Sequence, residues 1–159
     1  MSFDDWLLAL HLLSAFALMG ALTMFSIGVF ALRAADTPSR VLGLQPAMRV
    51  ATIAVTIGVA GTLVFGIWLA ISLDAYQVWD LWVLLALVGW AAATETGRRS
   101  GAAFGEAVTR AQTLAGEGRN EPDSELAALA GSRQAANLHW ISTAISLLVL
   151  ADMIWKPGS

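Results

Sequence analysis

Residues 6–32 read WLLALHLLSAFALMGALTMFSIGVFAL, and the only ionisable side chain in this run is His11. About 20 apolar residues are enough for a helix to cross the hydrocarbon core of a bilayer. The run therefore predicts a membrane span rather than a helix of a soluble core. Asp4 and Asp5 precede it where a signal peptide would carry basic residues, and the run is long. We therefore expect it to remain attached.

The composition agrees with a membrane protein. The chain has 159 residues, of which 57% are hydrophobic and 13% are charged, and its mean hydropathy is +0.67. Soluble domains carry about 25% charged residues. The length suits one domain, residues 1–159, and the absence of cysteine excludes disulfides, cysteine zinc sites and iron–sulfur clusters.

Four spans are predicted, at about residues 6–32, 50–73, 79–96 and 137–155. Small residues in the first two spans, among them Gly28 and Gly58, are typical of closely packed membrane helices. Residues 36–40 are expected to form a polar loop, in which Pro38 opposes continuation of the first helix. Pro46 is expected in the first turn of the second span.

A helical hairpin is predicted at about residues 97–136, between the third and fourth spans. The third helix continues to about residue 115, and a segment rich in glycine with Pro122 ends it. Asp123 or Ser124 can cap the last helix, which is expected to run unbroken into the fourth span. The predicted fold is all-α: an up-down bundle of four transmembrane helices, with this hairpin extending helices three and four on the cytoplasmic side.

The basic residues predict the orientation. Eight arginines lie in the first and third connections, at positions 33, 40, 49, 98, 99, 110, 119 and 133, and the other side carries only Lys156. Cytoplasmic loops are enriched in Lys and Arg. We therefore expect a multi-pass protein of the bacterial inner membrane with both termini outside, in the periplasm.

No motif of a soluble enzyme is present. Phosphate-binding glycine loops, HExxH and GxSxG are absent, so an enzyme is less favoured than a non-enzyme. The arginines are scattered over connections without interleaved aromatic residues, which gives nucleic-acid binding no support.

His11 is the main candidate site, because ionisable groups inside a membrane are functional candidates by default. It lies about 9 Å inside the outer boundary, six residues past Asp5. One interpretation is a structural histidine, hydrogen-bonded to Ser14 or to a carbonyl of a neighbouring helix. Another is an axial haem ligand, with Met153 or the His11 of a second copy opposite. A third is a copper or other transition-metal ligand, with Met153 or Met19 as a soft partner.

Three other ionisable groups fall in predicted spans. His139, near the inner boundary, shares a helical stripe with Ser142, which favours hydrogen bonding between helices over cofactor binding. Glu95 reaches a similar depth, so a Glu95–His139 hydrogen-bonded or proton-exchanging pair is predicted. Asp152 is expected to reach water. Most of the membrane separates His11 from His139, so one haem or metal ion cannot bind both within one subunit.

Three segments resemble a known family: WLLALHLLSA (residues 6–15), GTLVFGIWLA (61–70) and IWKP (154–157). They are similar to a family of bacterial four-helix integral membrane proteins of unknown function, which is distantly similar to the membrane domain of copper resistance protein D. The resemblance covers nearly the whole chain and implies that His11 is the position to examine. Bacterial membrane protoporphyrinogen oxidase is a similar-looking bundle. This chain has no basic residue inside a span to pair with a porphyrin carboxylate, so that activity is not expected.

Three functions remain open. The first is a small membrane protein that binds haem or a transition metal through His11 near the outer face. The second is an accessory or structural subunit of a larger membrane complex. The third is a small transporter, which the absence of carboxylates from the first two spans disfavours. The expected partners are the lipid bilayer and either a second copy in a homodimer or a larger complex.

Overall fold

A computed structural model of the chain describes residues 2–72, 77 and 79–156. Its elements are α1 (Phe3–Arg33), α2 (Pro38–Ser72), α3 (Leu81–Gly116), α4 (Ser124–Ala130) and α5 (Arg133–Trp155). These residues contain no strand, which confirms the all-α prediction. The predicted end of the second span at residue 73, most of the connection at 74–80 and Pro157 lie outside the described residues.

The ends of α1 follow from its sequence. The Ser2 hydroxyl accepts a hydrogen bond from the Asp5 backbone N–H, and the Asp5 carboxylate accepts one from the Ser2 backbone N–H. This capping box satisfies two backbone donors at the helix start. Asp4 and Asp5 in the first turn and Arg33 in the last turn also complement the helix dipole.

The second helix begins earlier than predicted. Pro38 is its first residue, so residues 38–40, predicted as loop, are helical, although α1 does end before this proline. Pro46 lies inside α2 rather than in its first turn, so that prediction is wrong. Proline is tolerated at the first helical position because the N–H that it lacks would have no partner there. The span and the segment before it are therefore one helix of 35 residues.

Helices α1 and α2 form a close antiparallel pair. A Cβ atom added to Gly58 would lie 2.7 Å from the backbone nitrogen of Leu18, and one added to Gly61 would clash with Ser14. The paired positions rise along α2 as they fall along α1, so the two helices run in opposite directions. The glycines let the two backbones approach, as small residues do between membrane helices.

Helices α3 and α5 form a second antiparallel pair. The Ser142 hydroxyl donates to the Ala93 carbonyl at 2.8 Å, and the Ser100 hydroxyl donates to the Ala135 carbonyl at 2.8 Å. Both serines are buried. Each hydrogen bond joins the two helices, so this pair is held by polar contacts as well as by packing.

The predicted last helix is in fact two helices. α4 ends at Ala130, with Gly131 as its C-cap. The Ser132 hydroxyl accepts from the Ala135 backbone N–H and starts α5 as a new N-cap. Glycine favours termination and serine favours a new start, which accounts for the break. By contrast, α3 continues unbroken to Gly116, close to residue 115 where the sequence predicted its end.

A separate apolar core, here called the α4 core, lies where α4 covers the α1–α2 connection and the second half of α3. It consists of Leu32, Ala35, Val41, Ala107, Ala111, Leu114, Leu126 and Ala130. Leu126 and Leu114 are at most 1% exposed, so the core is well shielded.

Asp123 holds the α4 core together from its edge. Its carboxylate accepts from the Leu126 backbone N–H at 2.9 Å and pairs with Arg110 at 3.1 Å. These two contacts, the Leu126 hydrogen bond first, lower the pKa of the Asp123 carboxyl below its usual value of 3.8. Its backbone N–H donates to the Asp36 carbonyl at 3.1 Å, which attaches the α1–α2 connection to α4.

The outer surface of the bundle is strongly apolar. Three stretches, Phe3–Arg33, Pro38–Ser72 and Ser124–Trp155, are long and apolar enough to cross a membrane. Their exposed side chains include Phe16 (74%), Ile57 (61%) and Leu148 (68%). Soluble monomers rarely expose apolar surface this extensive, so the surface is that of a membrane protein.

Candidate functional site

His11 contacts the backbone of α2. Its Nδ1 lies 3.1 Å from the Thr62 carbonyl oxygen. Because a carbonyl only accepts, Nδ1 carries the proton in this contact, and in a neutral imidazole Nε2 then keeps its lone pair. This is the hydrogen bond to a neighbouring helix that the sequence offered as one alternative. Ser14 instead donates to the Leu10 carbonyl of its own helix.

Gly66 makes room for this imidazole. A Cβ atom at position 66 would lie 2.9 Å from His11 Cε1 and 3.1 Å from Nδ1. The ring therefore packs directly on the α2 backbone. The Thr62 carbonyl accepts its hydrogen bond, and Gly66, which has no side chain, leaves the space that the ring occupies. No hydrogen-bond partner of Nε2 exists in the described part of the chain. A histidine fixed in this way resembles metal ligands, whose second N–H usually donates to a carbonyl or carboxylate.

A large cavity lies between the α1–α2 pair and the α3–α5 pair. Its volume is about 1390 Å³ and its walls are mainly apolar. We call it the central cavity. Among its lining residues are all of the sequence-predicted candidates except Glu95, namely His11, Met19, His139 and Met153.

The central cavity brings His11 and Met153 to the same end. Asp5 and Lys156 line that end. Met153 is three residues from Lys156, or about 4.5 Å along the axis, and His11 is about 9 Å from Asp5. Met19 is a further eight residues, about 12 Å, towards the other end. Of the two methionines, Met153 is therefore closer in depth to His11.

His139 joins α5 to α1. Its Nε2 lies 2.9 Å from the Ser26 hydroxyl, which also donates to the Leu22 carbonyl at 2.9 Å. The hydroxyl has one proton, so both contacts are satisfied when His139 Nε2–H is the donor to Ser26. Ser26 is fifteen residues from His11, about 22 Å along α1. The two histidines are thus far apart, and His139 has the interhelical role that its stripe predicted.

Glu95 and His139 have different partners. The Glu95 carboxylate binds Arg98 through two hydrogen bonds of 2.8 and 2.9 Å, and it binds Arg99 at 2.6 Å. All three side chains are exposed. The structure therefore does not form the predicted Glu95–His139 pair, because two adjacent arginines on the same helix occupy the carboxylate.

Asp152 is half-buried. Its Oδ2 atom is buried and has no hydrogen-bond partner in the described residues, so at most part of the carboxylate reaches water as the sequence predicted. Asp152 does not line the central cavity. Within the described residues, no group of three or more His, Cys, Asp or Glu side chains could hold a metal ion. A metal ion at His11 would therefore need a further ligand from a methionine, from a porphyrin ring or from a second copy of the chain.

Sequence reasoning missed the residues that position His11. The Thr62 carbonyl is a backbone group, and no residue type marks it in advance. Gly66 is one of several small residues of the second predicted span, and the sequence alone assigns it no neighbour. Gly58, Gly61 and Gly66 lie opposite Leu18, Ser14 and His11, respectively. The helical spacing of the two sets is the signal that could have predicted this pairing.

Comparison of the chain with family models, with curated proteins and with solved structures gives no match.

Proposed function

We propose that this protein is a four-span membrane protein that binds haem through His11 near one face of the bilayer. The observation that carries the proposal is the His11 Nδ1–Thr62 carbonyl contact, which leaves the Nε2 lone pair for a ligand beside the central cavity. Neutral imidazole is a common axial ligand of haem iron. Membrane and soluble bundles alike place such cofactors between facing helices.

The size and chemistry of the central cavity are compatible with a porphyrin. Its volume of about 1390 Å³ exceeds the 300–1,000 Å³ typical of pockets for drug-sized ligands, and its lining is mostly apolar. Met153 or the His11 of a second copy would be the other residue that holds the group. Lys156, whose ammonium group lies over the Trp82 ring, lines the same end. Bound haem supplies one-electron transfer.

Copper is the second candidate ligand, and the position of Met153 favours it. A thioether and an imidazole at one end of an apolar cavity are ligands that suit copper. Here the protein would act as a metal carrier or sensor rather than as an electron carrier. Iron and copper analysis of the same preparation separates the two.

The four-span count rests on α3, whose apolar stretch is shorter than those of the other helices. The first half of α3 packs along α5, which belongs to the candidate span Ser124–Trp155. The contacts are the Ser142–Ala93 hydrogen bond and the packing of Val149 on Gly89. Leu81 and Val88 are 57% and 69% exposed, as lipid-facing residues would be. These features support a third span at about residues 81–96.

The charges support the predicted orientation in a bacterial inner membrane. The arginines of α2, α3 and α5 lie towards the α4 core, and Asp4, Asp5 and Lys156 lie at the opposite end. By the positive-inside rule the α4 core is cytoplasmic and both termini are periplasmic. The proposed haem site is then near the periplasmic face.

The test is an absorption spectrum with iron and copper analysis of the purified protein beside His11→Ala and His139→Ala. We expect a haem spectrum in the wild type and in His139→Ala, and its loss in His11→Ala. Circular dichroism checks that the helical content of both variants is unchanged. A folded wild type that is colourless and metal-free after expression with added haem or copper would overturn the proposal.

An accessory role predicts a different result. A subunit of a larger complex would be colourless, and it would co-purify with other membrane proteins in mild detergent. The transporter alternative needs an exchangeable carboxylate, and Glu95 is already held by two arginines. Loss of proton-dependent flux in Glu95→Gln vesicles would favour transport.

A further inference from the structure

The central cavity extends well beyond the His11 end. Its lining continues to Arg98, Phe104 and Val108, next to the α4 core. From Gly66, where His11 packs, to Arg49 near this second end is seventeen residues of α2, about 25 Å. A ligand at His11 would therefore leave the second end of the cavity free.

Positive charge collects at the second end. Glu95 carries one negative charge and contacts two positive groups, Arg98 and Arg99, so this cluster retains a net charge of about +1. Glu95 binds Arg98 through Nε and Nη2. The Nη1 donors of Arg98 stay available, and the two-point contact fixes the direction of the guanidinium. Arg98 also lines the cavity.

Arg49 adds a second positive charge at the same depth. Trp90 Nε1 donates to the Val59 carbonyl at 3.2 Å, which aligns α3 with α2. From this contact Arg49 is about 15 Å along α2, and Arg98 is about 12 Å along α3 in the same direction. Arg49 is exposed, lies just outside the cavity lining and forms no ion pair with any described residue. Met48, next to it, lines the cavity.

We propose that the second end of the central cavity holds one anionic phospholipid, with its phosphate between Arg49 and Arg98 and its acyl chains along the apolar walls. Guanidinium groups recognise phosphate through paired hydrogen bonds. Basic sites between membrane helices on the cytoplasmic side suit such headgroups. This inference does not depend on a ligand at His11.

The cavity walls argue for a lipid over free phosphate. The lining is mainly apolar from end to end, and a free anion would use only the arginine end. The lining glycines Gly101 and Gly105, about one and two turns beyond Arg98 towards the α4 core, have no atom within 4 Å of an added Cβ, which leaves space beside α3 for the headgroup. Helices α1 and α5 touch at few positions, including Ser26–His139 and Phe30–Trp140, so a lipid can enter sideways from the bilayer.

The experiment is native mass spectrometry of the full chain, delipidated in neutral detergent. The probes are phosphatidylglycerol, phosphatidylcholine with identical chains, and inorganic phosphate. We expect one phosphatidylglycerol to bind at least tenfold more tightly than phosphatidylcholine, and phosphate alone to give no adduct. Arg49→Gln and Arg98→Gln are each expected to weaken phosphatidylglycerol binding by about fivefold, because one surface arginine contributes about that factor. Arg133→Gln, at the exposed first residue of α5 and without a neighbouring lining residue of α2, is the control and should have no effect.

A second pair of variants tests the cavity rather than the charge. Gly101→Leu places a side chain in the cavity and should reduce binding, whereas Gly43→Leu fills open space outside the cavity and should not. His11→Ala should leave lipid binding unchanged even if it abolishes haem binding. Equal binding of the two lipids, an equal effect of Arg133→Gln, or full binding in Gly101→Leu would each overturn the proposal.

Discussion

Gly58→Ala tests the close approach of α1 and α2 most directly. The added methyl group would lie 2.7 Å from the Leu18 backbone nitrogen and 2.8 Å from its Cα. Ordinary contact begins near 3.4 Å, and a helix backbone cannot rotate out of the way. The two helices must therefore separate by about half an ångström or more over the surrounding turns. Gly20→Ala is the matched control, because nothing lies within 4 Å of its added Cβ.

The comparison isolates the packing effect. Both substitutions gain the same helix propensity, about 0.5–1 kcal/mol. Only Gly58→Ala suffers overpacking, which typically destabilises by about 1–3 kcal/mol. At about 2–4 °C per kcal/mol for a chain of this size, Gly58→Ala should unfold roughly 2–12 °C below Gly20→Ala.

Thermal unfolding of both variants in one detergent, followed by circular dichroism, measures this difference. A shift of the His11 environment should accompany it, since His11 packs on the same helix pair. Equal unfolding midpoints for the two alanine variants would refute the reasoning, because they would show that Leu18 and Gly58 are not in backbone contact.

Three further effects on stability are expected. Ser26→Ala removes the acceptor of the buried His139 Nε2–H and should destabilise by about 1–3 kcal/mol in thermal unfolding. Trp90→Phe removes the donor to the Val59 carbonyl that connects the two helix pairs and should destabilise by about 0.5–1.5 kcal/mol in the same assay. The Asp123 carboxyl has a lowered pKa, so its stabilising effect is fully present above about pH 4 and is lost as the pH falls through the lowered pKa. The difference in unfolding midpoint between wild type and Asp123→Asn should therefore be present at pH 7 and disappear on acidification.

Each of these has a control. Thr23→Ala removes an exposed hydroxyl that bonds only within α1, so a loss equal to that of Ser26→Ala would contradict the His139 assignment. Trp68→Phe alters a half-exposed tryptophan on α2 and should change the midpoint less than Trp90→Phe does. Glu121→Gln changes an exposed carboxylate and should show no pH-dependent difference. If the difference in unfolding midpoint between wild type and Asp123→Asn were the same at every pH, the stabilising role of the ionised Asp123 carboxylate would be contradicted.

The length and period of the apolar runs were enough to predict the helical fold. The uninterrupted run after Asp5 predicted α1, and the helical pattern that continues past Arg99 predicted the extension of α3 to Gly116. Local breakers were harder to interpret. Pro38 can start a helix as well as prevent one, and Gly131 ends α4 only because Ser132 caps the next helix.

The site was less accessible to prediction because its contacts depend on the relative position of the helices. His11 was identifiable from its isolation in an apolar run, but its partner is the Thr62 carbonyl, and every residue has a carbonyl. Glu95 has an arginine three residues away and another four residues away on its own helix, and these local partners excluded the more distant His139.

The pairing of α1 with α2 and of α3 with α5 also bears on how the protein enters the membrane. Each pair is close in the chain and has hydrogen bonds between its own two helices, so the two hairpins can insert one after the other during synthesis. The central cavity then exists only after they dock. Two separately expressed halves, divided within residues 73–80, should reassemble into a complex that binds ligand, and neither half alone should do so.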